Sequence, residues 1–510
     1  MDTSMTHRRS LTFSLLLALL LLILAACSGG GTTTPPTAAP GDTTASPTAD
    51  EASEGEAAIS EGEEASPLPE SEEGSPSAEV GDEEIATAGE VTTGITEYSL
   101  DNPPPVPNTE VASQYSGQTI TYYGDLVGIG AQLDEQLAAQ FTEDTGIRVT
   151  VVPKPEQSNE MYVTYQRFFA AQSPDLDVMM VDIIHPGAFA PHLVDLSQSM
   201  REEVDSILPP LIENSTIDGA VVTMPWFADF GILYYRTDLL EKYGFDGPPE
   251  TWQELQQQAQ TIQDGERNAG NPNFFGYVFQ GNADEGLTCN ALEWLASNGA
   301  GTFVDENGQV TVNSPQAATV LNMIPGFVRT ISPQGVVTYT EDDARLPFQN
   351  GNAAFMRNWP YAYALAQRED STIQGRFGIA PLPHGEGQAS VGTVGGWGLG
   401  VSRYSDTQEA AIEFVRYLTS PEVQRYRAVV GGYLPTNQAA AQDAVVRAAN
   451  PPLLLQDQIN LVARPSRSLA AQYNRGSTAI FQSINQILSG QDAAQVLPRL
   501  EQQLQQLTQQ

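Results

Sequence analysis

Between Thr119 and Asp182 the apolar spacing switches repeatedly between strand and helix periods, and that alternation restricts the fold more than any other feature of the chain. Thr119-Ile120-Thr121-Tyr122-Tyr123 is a β-type run. Gln132 to Thr145 reads as a helix, with Leu133, Leu137 and Phe141 four apart on one face, and Gly146 stops it. Ile147 to Val152 is a second strand, rich in β-branched residues. Met161 to Ala171 is helical, and Asp177 to Val181 is a third strand ending at Asp182. Strand, helix, strand, helix, strand requires crossover connections and so predicts a parallel sheet covered by helices.

Later helices carry start signals. Thr251 and Glu254 form a capping-box pattern behind Pro248-Pro249. Ser314-Pro315 and Ser420-Pro421 place a cap residue before a proline at the first helical position. Asp406 and Glu409 open another helix, with Ala411, Phe414, Val415 and Leu418 as its apolar stripe. Leu497, Leu500, Leu504 and Leu507 predict a packed terminal helix. No repeat of fixed period is present. About 390 residues of mixed α/β exceed one hydrophobic core, so at least two lobes are expected.

The chain before Thr119 is of another kind. His7, Arg8 and Arg9 form a basic head, and Leu11 to Leu24 is almost purely apolar, short of the roughly 20 residues that span a bilayer. That pattern is an export signal. It ends in Leu24-Ala25-Ala26-Cys27, followed by Ser28-Gly29-Gly30, which resembles a bacterial lipobox, whose Cys is acylated and becomes the new N-terminus. The chain has only two cysteines. If Cys27 carries lipid, Cys289 has no partner, which excludes a disulfide framework and Cys-rich zinc sites. From Ser28 to about Gln118 the composition is Ser, Thr, Pro, Gly, Ala and Glu, with no Lys or Arg between Arg9 and Arg148. Such a segment cannot bury enough apolar surface to offset its ordering entropy. A disordered tether of that length has an r.m.s. span of about 50–55 Å, and Pro103-Pro104-Pro105 and Pro107 stiffen its far end. The net charge of −40 argues against nucleic acid and anionic lipid surfaces as partners.

Several chemistries lack their residues. His185 and His192 are seven apart in a Pro-containing loop, a poor metal spacing, and His384 stands alone. No Gly-x-Ser-x-Gly elbow is present. The only lysines, Lys154 and Lys242, follow no phosphate-loop glycines. Gly395-Gly396-Trp397-Gly398-Leu399-Gly400 does not fit the dinucleotide pattern. No cofactor or metal is expected. Paired carboxylates for glycoside hydrolysis stay open, because so acidic a chain offers many candidates. What the chain does place together is aromatic residues beside carboxylates, glycines and arginine. The clusters are Trp226-Phe227-Ala228-Asp229, Trp359-Pro360-Tyr361, Gly395-Gly396-Trp397 and Arg464-Pro465. These groups suit sugars. The C–H face of a pyranose packs on an aromatic plane, carboxylates accept from hydroxyl pairs, and Arg donates in a planar fork.

From about Ile120 to Leu507 the chain resembles the family 1 extracellular solute-binding proteins of ABC importers, and among them the trehalose/maltose-binding group. The matching stretches are Phe141-Thr142-Glu143-Asp144-Thr145-Gly146-Ile147, Gly231-Ile232-Leu233-Tyr234-Tyr235-Arg236-Thr237-Asp238-Leu239-Leu240 and Asn350-Gly351-Asn352-Ala353-Ala354-Phe355-Met356-Arg357-Asn358-Trp359-Pro360. Gly378-Ile379-Ala380-Pro381-Leu382-Pro383, Gly395-Gly396-Trp397-Gly398, Phe414 to Glu422 and Leu434-Pro435-Thr436 follow in order. The resemblance implies an α/β, two-lobed periplasmic-binding-protein (type II) fold with a ligand cleft between the lobes. Residues 1–26 would be the lipoprotein signal peptide and 27–117 the disordered tether. Lobe 1 would comprise 118–227 and 391–445, and lobe 2 would comprise 228–390 and 446–510.

Position by position, the resemblance places Asp182, at the end of the third strand, in the cleft. Asp229, with Phe227 nearby, matches a second carboxylate, and Glu341 a third. Trp359 and Tyr361 match a stacking pair and Trp397 a second platform. Gly396 would offer backbone, and Arg464 matches a guanidinium that donates to sugar hydroxyls. His185 stands where relatives often carry Trp, and the loop from Gly124 to Gln132 offers only Asp125 for an acidic residue that some relatives present there. The implied function is that of a lipid-anchored, monomeric receptor at the outer face of the cell membrane. It would close on a di- or oligosaccharide and deliver it to the transmembrane subunits of an ABC permease, without catalysis. The alternatives are a lipid-anchored glycoside-processing enzyme and a sugar-sensing module not coupled to transport.

Overall fold

The computed structural model describes residues 95–509, so Cys27, the signal segment and the tether as far as residue 94 lie outside the described residues. The expected alternation is present at its start. Strands β1 (Thr119–Gly124), β2 (Arg148–Pro153) and β3 (Val178–Asp182) are joined by helices Gly130–Thr145 and Ser158–Ala171. β1 pairs in parallel with both neighbours, Ile120 opposite Val149 and Tyr122 opposite Val178. β3 is buried at every residue, as a strand covered on both faces must be. Leu133, Leu137 and Phe141 are fully buried, and Gly146 ends their helix at φ 75°.

A short hairpin of β4 (Thr216–Ile217) and β5 (Ala220–Val221) precedes β6 (Met224–Phe230) and β7 (Ile232–Arg236). Then come β8 (Phe275–Val278), β9 (Ala353–Asn358), β10 (Phe377–Ala380), β11 (Val391–Val401), β12 (Leu434–Pro435) and β13 (Asn460–Val462). One sheet runs β12-β6-β11-β3-β1-β2, with β13 beside β11, and a second runs β10-β7-β9-β8. The first sheet departs from the expected parallel arrangement, because β11 enters antiparallel between β3 and β6. It returns from the second sheet, so no local crossover fixes its direction.

The chain first passes between the sheets at Gly231, between β6 and β7. A Cβ there would lie 2.0 Å from Glu293 Oε1 and 2.6 Å from Arg357 Nη2. The backbone therefore runs directly over a buried ion pair, and only glycine fits. Helix Trp252–Asn268 packs on the second sheet, and helices Glu285–Ser297 and Tyr473–Leu488 and the terminal helix Ala493–Thr508 share its hydrophobic core. The first of these opens with the expected capping box. Thr251 Oγ1 accepts from the Glu254 N–H at 3.2 Å, and Glu254 Oε2 accepts from the Thr251 N–H at 3.1 Å. Ser314 and Ser420 cap as read, and Leu497, Leu500, Leu504 and Leu507 are buried. The helix expected at Asp406 opens at Gln408.

The tether is corrected at its far end. Its last twenty residues form a strap packed on the first sheet's helices, not a disordered coil. Tyr98, Leu100, Val106 and Tyr115 pack against the core, and Ala112 is buried within it. Tyr426 Oη donates to Leu100 O at 2.7 Å, Tyr417 Oη donates to Pro104 O at 2.6 Å, and the Val106 N–H donates to Asp144 Oδ2 at 2.8 Å. Prolines lack an N–H, so a proline strap can still be held through its carbonyls by donors on the body.

Candidate functional site

Strand ends and helix starts from both sheets converge on one cavity that opens to solvent. All eight residues singled out in the sequence line it. Asp182 is the last residue of β3, Asp229 lies in β6, and Gly396 and Trp397 lie in β11. Trp359 follows β9, while Glu341 and Tyr361 begin the helices Glu341–Gln349 and Tyr361–Ala366. Arg464 follows β13. Glu341 therefore is not the cap of its helix, since Thr340 takes that position.

Register explains the first-sheet wall. Trp397 stands opposite Asp182 on one side and Phe227 on the other, with a pairing irregularity between Trp397 and Gly398. Gly396 has φ 129°, and a Cβ there would lie 2.5 Å from Phe227 O, so glycine is required. On the opposing wall, the Arg357 guanidinium lies 3.9 Å from the Trp359 ring centroid, and Trp359 Nε1 donates to Glu341 Oε1 at 3.4 Å. Both Trp359 and Trp397 keep part of their surface exposed. Tyr361 differs from the expected open platform. It is buried, its ring lies against Gly128, and its hydroxyl donates to Asp342 Oδ1 at 3.0 Å.

Charge is arranged unevenly. Arg464 Nη2 donates to Asp182 Oδ1 at 2.8 Å and Nη1 to Glu285 Oε1 at 3.0 Å, with all three residues buried. Burial opposes charge on Asp182, but Arg464, His185 and the Ser158 hydroxyl outweigh it and hold its pKa below the ordinary value. Ser477 Oγ donates to Glu285 Oε2 at 2.6 Å, and Tyr473 also bonds that carboxylate. The Asp229 carboxylate has no hydrogen-bond partner among the described residues, and burial followed by the charge of Asp125 raises its pKa well above the usual range. Burial likewise raises Glu341. It raises the pKa of the cavity-lining Cys289 thiol too, which favours its protonated form. His185 is buried with both ring nitrogens unpartnered, and desolvation lowers its pKa to about 4. It stacks among Tyr162 and Phe189 beneath the cavity and does not line it.

Sequence reasoning missed Lys154, Glu285, Ser158 and Tyr433, which also line the cavity, and only half-credited Asp125. Lys154 immediately follows β2, the carboxyl end at which open α/β sheets bind ligands, and that position was the available signal. Six carboxylates and two cations thus face the space, and Arg464 is consumed by two of the carboxylates. The arrangement suits a neutral ligand with many hydroxyls and apolar faces.

The sequence pattern of the bacterial extracellular solute-binding proteins matches residues 123–425. A probable ABC transporter-binding protein of Deinococcus radiodurans is 44% identical over 385 residues, 75% of this chain and 91% of that protein. The sn-glycerol-3-phosphate-binding periplasmic protein UgpB of Rhizobium meliloti is 23% identical over 352 residues, 64% of this chain and 76% of that one. Among solved structures, maltose-bound MalE3 of T. maritima superposes with a TM-score of 0.73 at 37% identity, covering 77% of this chain and all of that one.

Proposed function

Because this chain belongs to the bacterial extracellular solute-binding protein family, whose members bind solutes outside the cytoplasm for ABC importers, we propose that its solute is a neutral di- or oligosaccharide of the maltose or trehalose kind. One observation carries the reading. Two partly exposed tryptophans, Trp397 from the first sheet and Trp359 from the second, face one cavity with carboxylates and no uncommitted guanidinium. Stacked indoles desolvate the faces of pyranose rings, and carboxylates fix the hydroxyls. A phosphate-bearing solute such as that of the Rhizobium relative is held by arginine forks, lysine or backbone nests, and here the cavity's arginine is already paired and Lys154 stands among four carboxylates. Sugar bound between the lobes shifts the hinge toward closure, and the closed form delivers it to the permease. The maltose-bound relative supports the sugar class.

The test is a melting-temperature screen of the full chain in mild detergent against di- and oligosaccharides, glycerol 3-phosphate and amino acids. A sugar at 100 times its Kd adds roughly 2.7 kcal/mol. A shift with glycerol 3-phosphate and none with any sugar overturns the reading. Release of p-nitrophenol from a chromogenic glycoside, abolished by Asp229→Asn, would move it to the glycoside-processing class.

We further propose lipid attachment at Cys27 and a tether running only to the strap that begins near Tyr98. Cys27→Ser should then leave the membrane fraction, and continued sedimentation with membranes would refute the anchor.

A further inference from the structure

We propose that Lys154 is the principal charged hydrogen-bond donor to the ligand, and that it selects a solute presenting an uncharged oxygen at the face of Trp397. The proposal rests on the sugar-binding reading above.

Lys154 is 2% exposed, and its Nζ lies 4.3 Å from the centroid of the Trp397 ring. An ammonium has three donors. Here its one hydrogen-bond acceptor among the described residues is Pro155 O, at 3.5 Å. No described carboxylate comes within 4.0 Å of Nζ, although Asp125, Glu156, Asp182 and Glu341 all lie near enough to act on it electrostatically. A buried charge with unused donors is costly unless something completes its shell, and Lys154 lines the cavity. Arg464 is the contrasting case. It is equally buried, but two of its nitrogens are bound to Asp182 and Glu285, and its Nε is enclosed without reaching the cavity. Turning Arg464 toward a ligand would take its charge away from two buried carboxylates. Lys154 turns at no such cost, so the donor role that resemblance gives to Arg464 falls to Lys154.

The same placement sets selectivity. The indole face that could receive a ligand cation already holds an ammonium, so a cationic group there meets like charge. A carboxylate or phosphate would meet Lys154 among four acids. A hydroxyl or glycosidic oxygen accepts from Nζ without either conflict.

The experiment compares wild type with Lys154→Met, which keeps length and apolar volume, using maltose, trehalose and maltotriose as probes. Calorimetric titration gives Kd, and melting without sugar gives stability. Loss of a charged hydrogen bond predicts roughly tenfold to hundredfold weaker binding of whichever probe binds wild type. The sugar-free variant should melt no lower than wild type, because an unsatisfied buried charge has been removed. Unchanged Kd overturns the proposal and leaves sugar binding standing. A lower melting temperature without sugar, or failure to fold, makes Lys154 a structural cation and also overturns it. If wild type binds none of the probes, the sugar reading fails and takes this proposal with it.

Discussion

Replacing Arg357 by Met tests whether the ion pair beneath the lobe crossing holds the second sheet together. Arg357 and Glu293 are each 1% exposed. Nε donates to Glu293 Oε2 at 2.9 Å and Nη2 to Oε1 at 2.5 Å, while Gln280 Oε1 accepts from Nη1 at 3.3 Å. Solvent does not screen such a pair, so the 0–1 kcal/mol typical of exposed ion pairs does not apply. After Arg357→Met, Glu293 keeps the Thr393 N–H at 3.1 Å as its remaining donor among the described residues and is otherwise a stranded buried charge, which costs about 3–5 kcal/mol. That is a large share of the roughly 5–15 kcal/mol by which folded proteins are stable. Urea unfolding followed by tryptophan fluorescence measures the loss from the shift in midpoint at constant slope. The double variant Arg357→Met with Glu293→Leu removes both charges and should recover at least half of it. A single-variant loss below about 1 kcal/mol, or a double variant no more stable than the single, refutes the reasoning.

Trp397→Ala should abolish the sugar-dependent melting shift while leaving the sugar-free fold intact, and full affinity in the variant would remove its stacking role. Gly396→Ala forces a Cβ to within 2.5 Å of Phe227 O at φ 129°, so it should lower stability by at least about 1–3 kcal/mol, measured by urea unfolding. Two buried groups predict opposite pH trends. His185, lowered to about 4, stays neutral in the fold while the unfolded chain takes up a proton. Stability therefore falls as pH drops from 6.5 to 4, and the advantage of His185→Phe should grow over that range to on the order of 3 kcal/mol. Asp134, raised to about 7 chiefly by burial, keeps its proton in the fold after the unfolded chain has lost it. Stability falls as pH rises from 4 to 7, and Asp134→Asn should gain most at pH 7 and above, on the order of 3–4 kcal/mol. Parallel pH–stability curves for either variant and wild type would refute its assignment.

The legible parts of this fold are those set by short-range chemistry. The β1 to β3 series, the Thr251 box, the Ser-Pro caps and the terminal leucine stripe each rest on residues within a turn or two of one another. The entry of β11 between β3 and β6 was hidden, because its partners are more than 150 residues away and glycine-rich Val391 to Val401 shows no clean alternation. The strap was hidden for a related reason. Its composition is that of a tether, and what orders it is the hydroxyls of Tyr417 and Tyr426, over 300 residues later. In the site, aromatic and glycine clusters announced themselves, whereas Lys154 looked like any strand-end lysine. Nothing in the sequence says that Arg464 would be spent on Asp182 and Glu285.

That commitment decides how an acidic cavity can suit an uncharged solute. Arg464 neutralises one charge of the Asp182–Glu285 pair. Burial raises the pKa of both Asp229 and Glu341, and a protonated carboxyl donates as well as accepts. A sugar hydroxyl has the same dual character, so burial of these two acids favours a hydroxyl partner over a charged one. The carboxylate count around the cavity is therefore a poor guide to ligand charge. Which acids are paired, and which are pushed toward their neutral form, points to a polyhydroxylated neutral ligand.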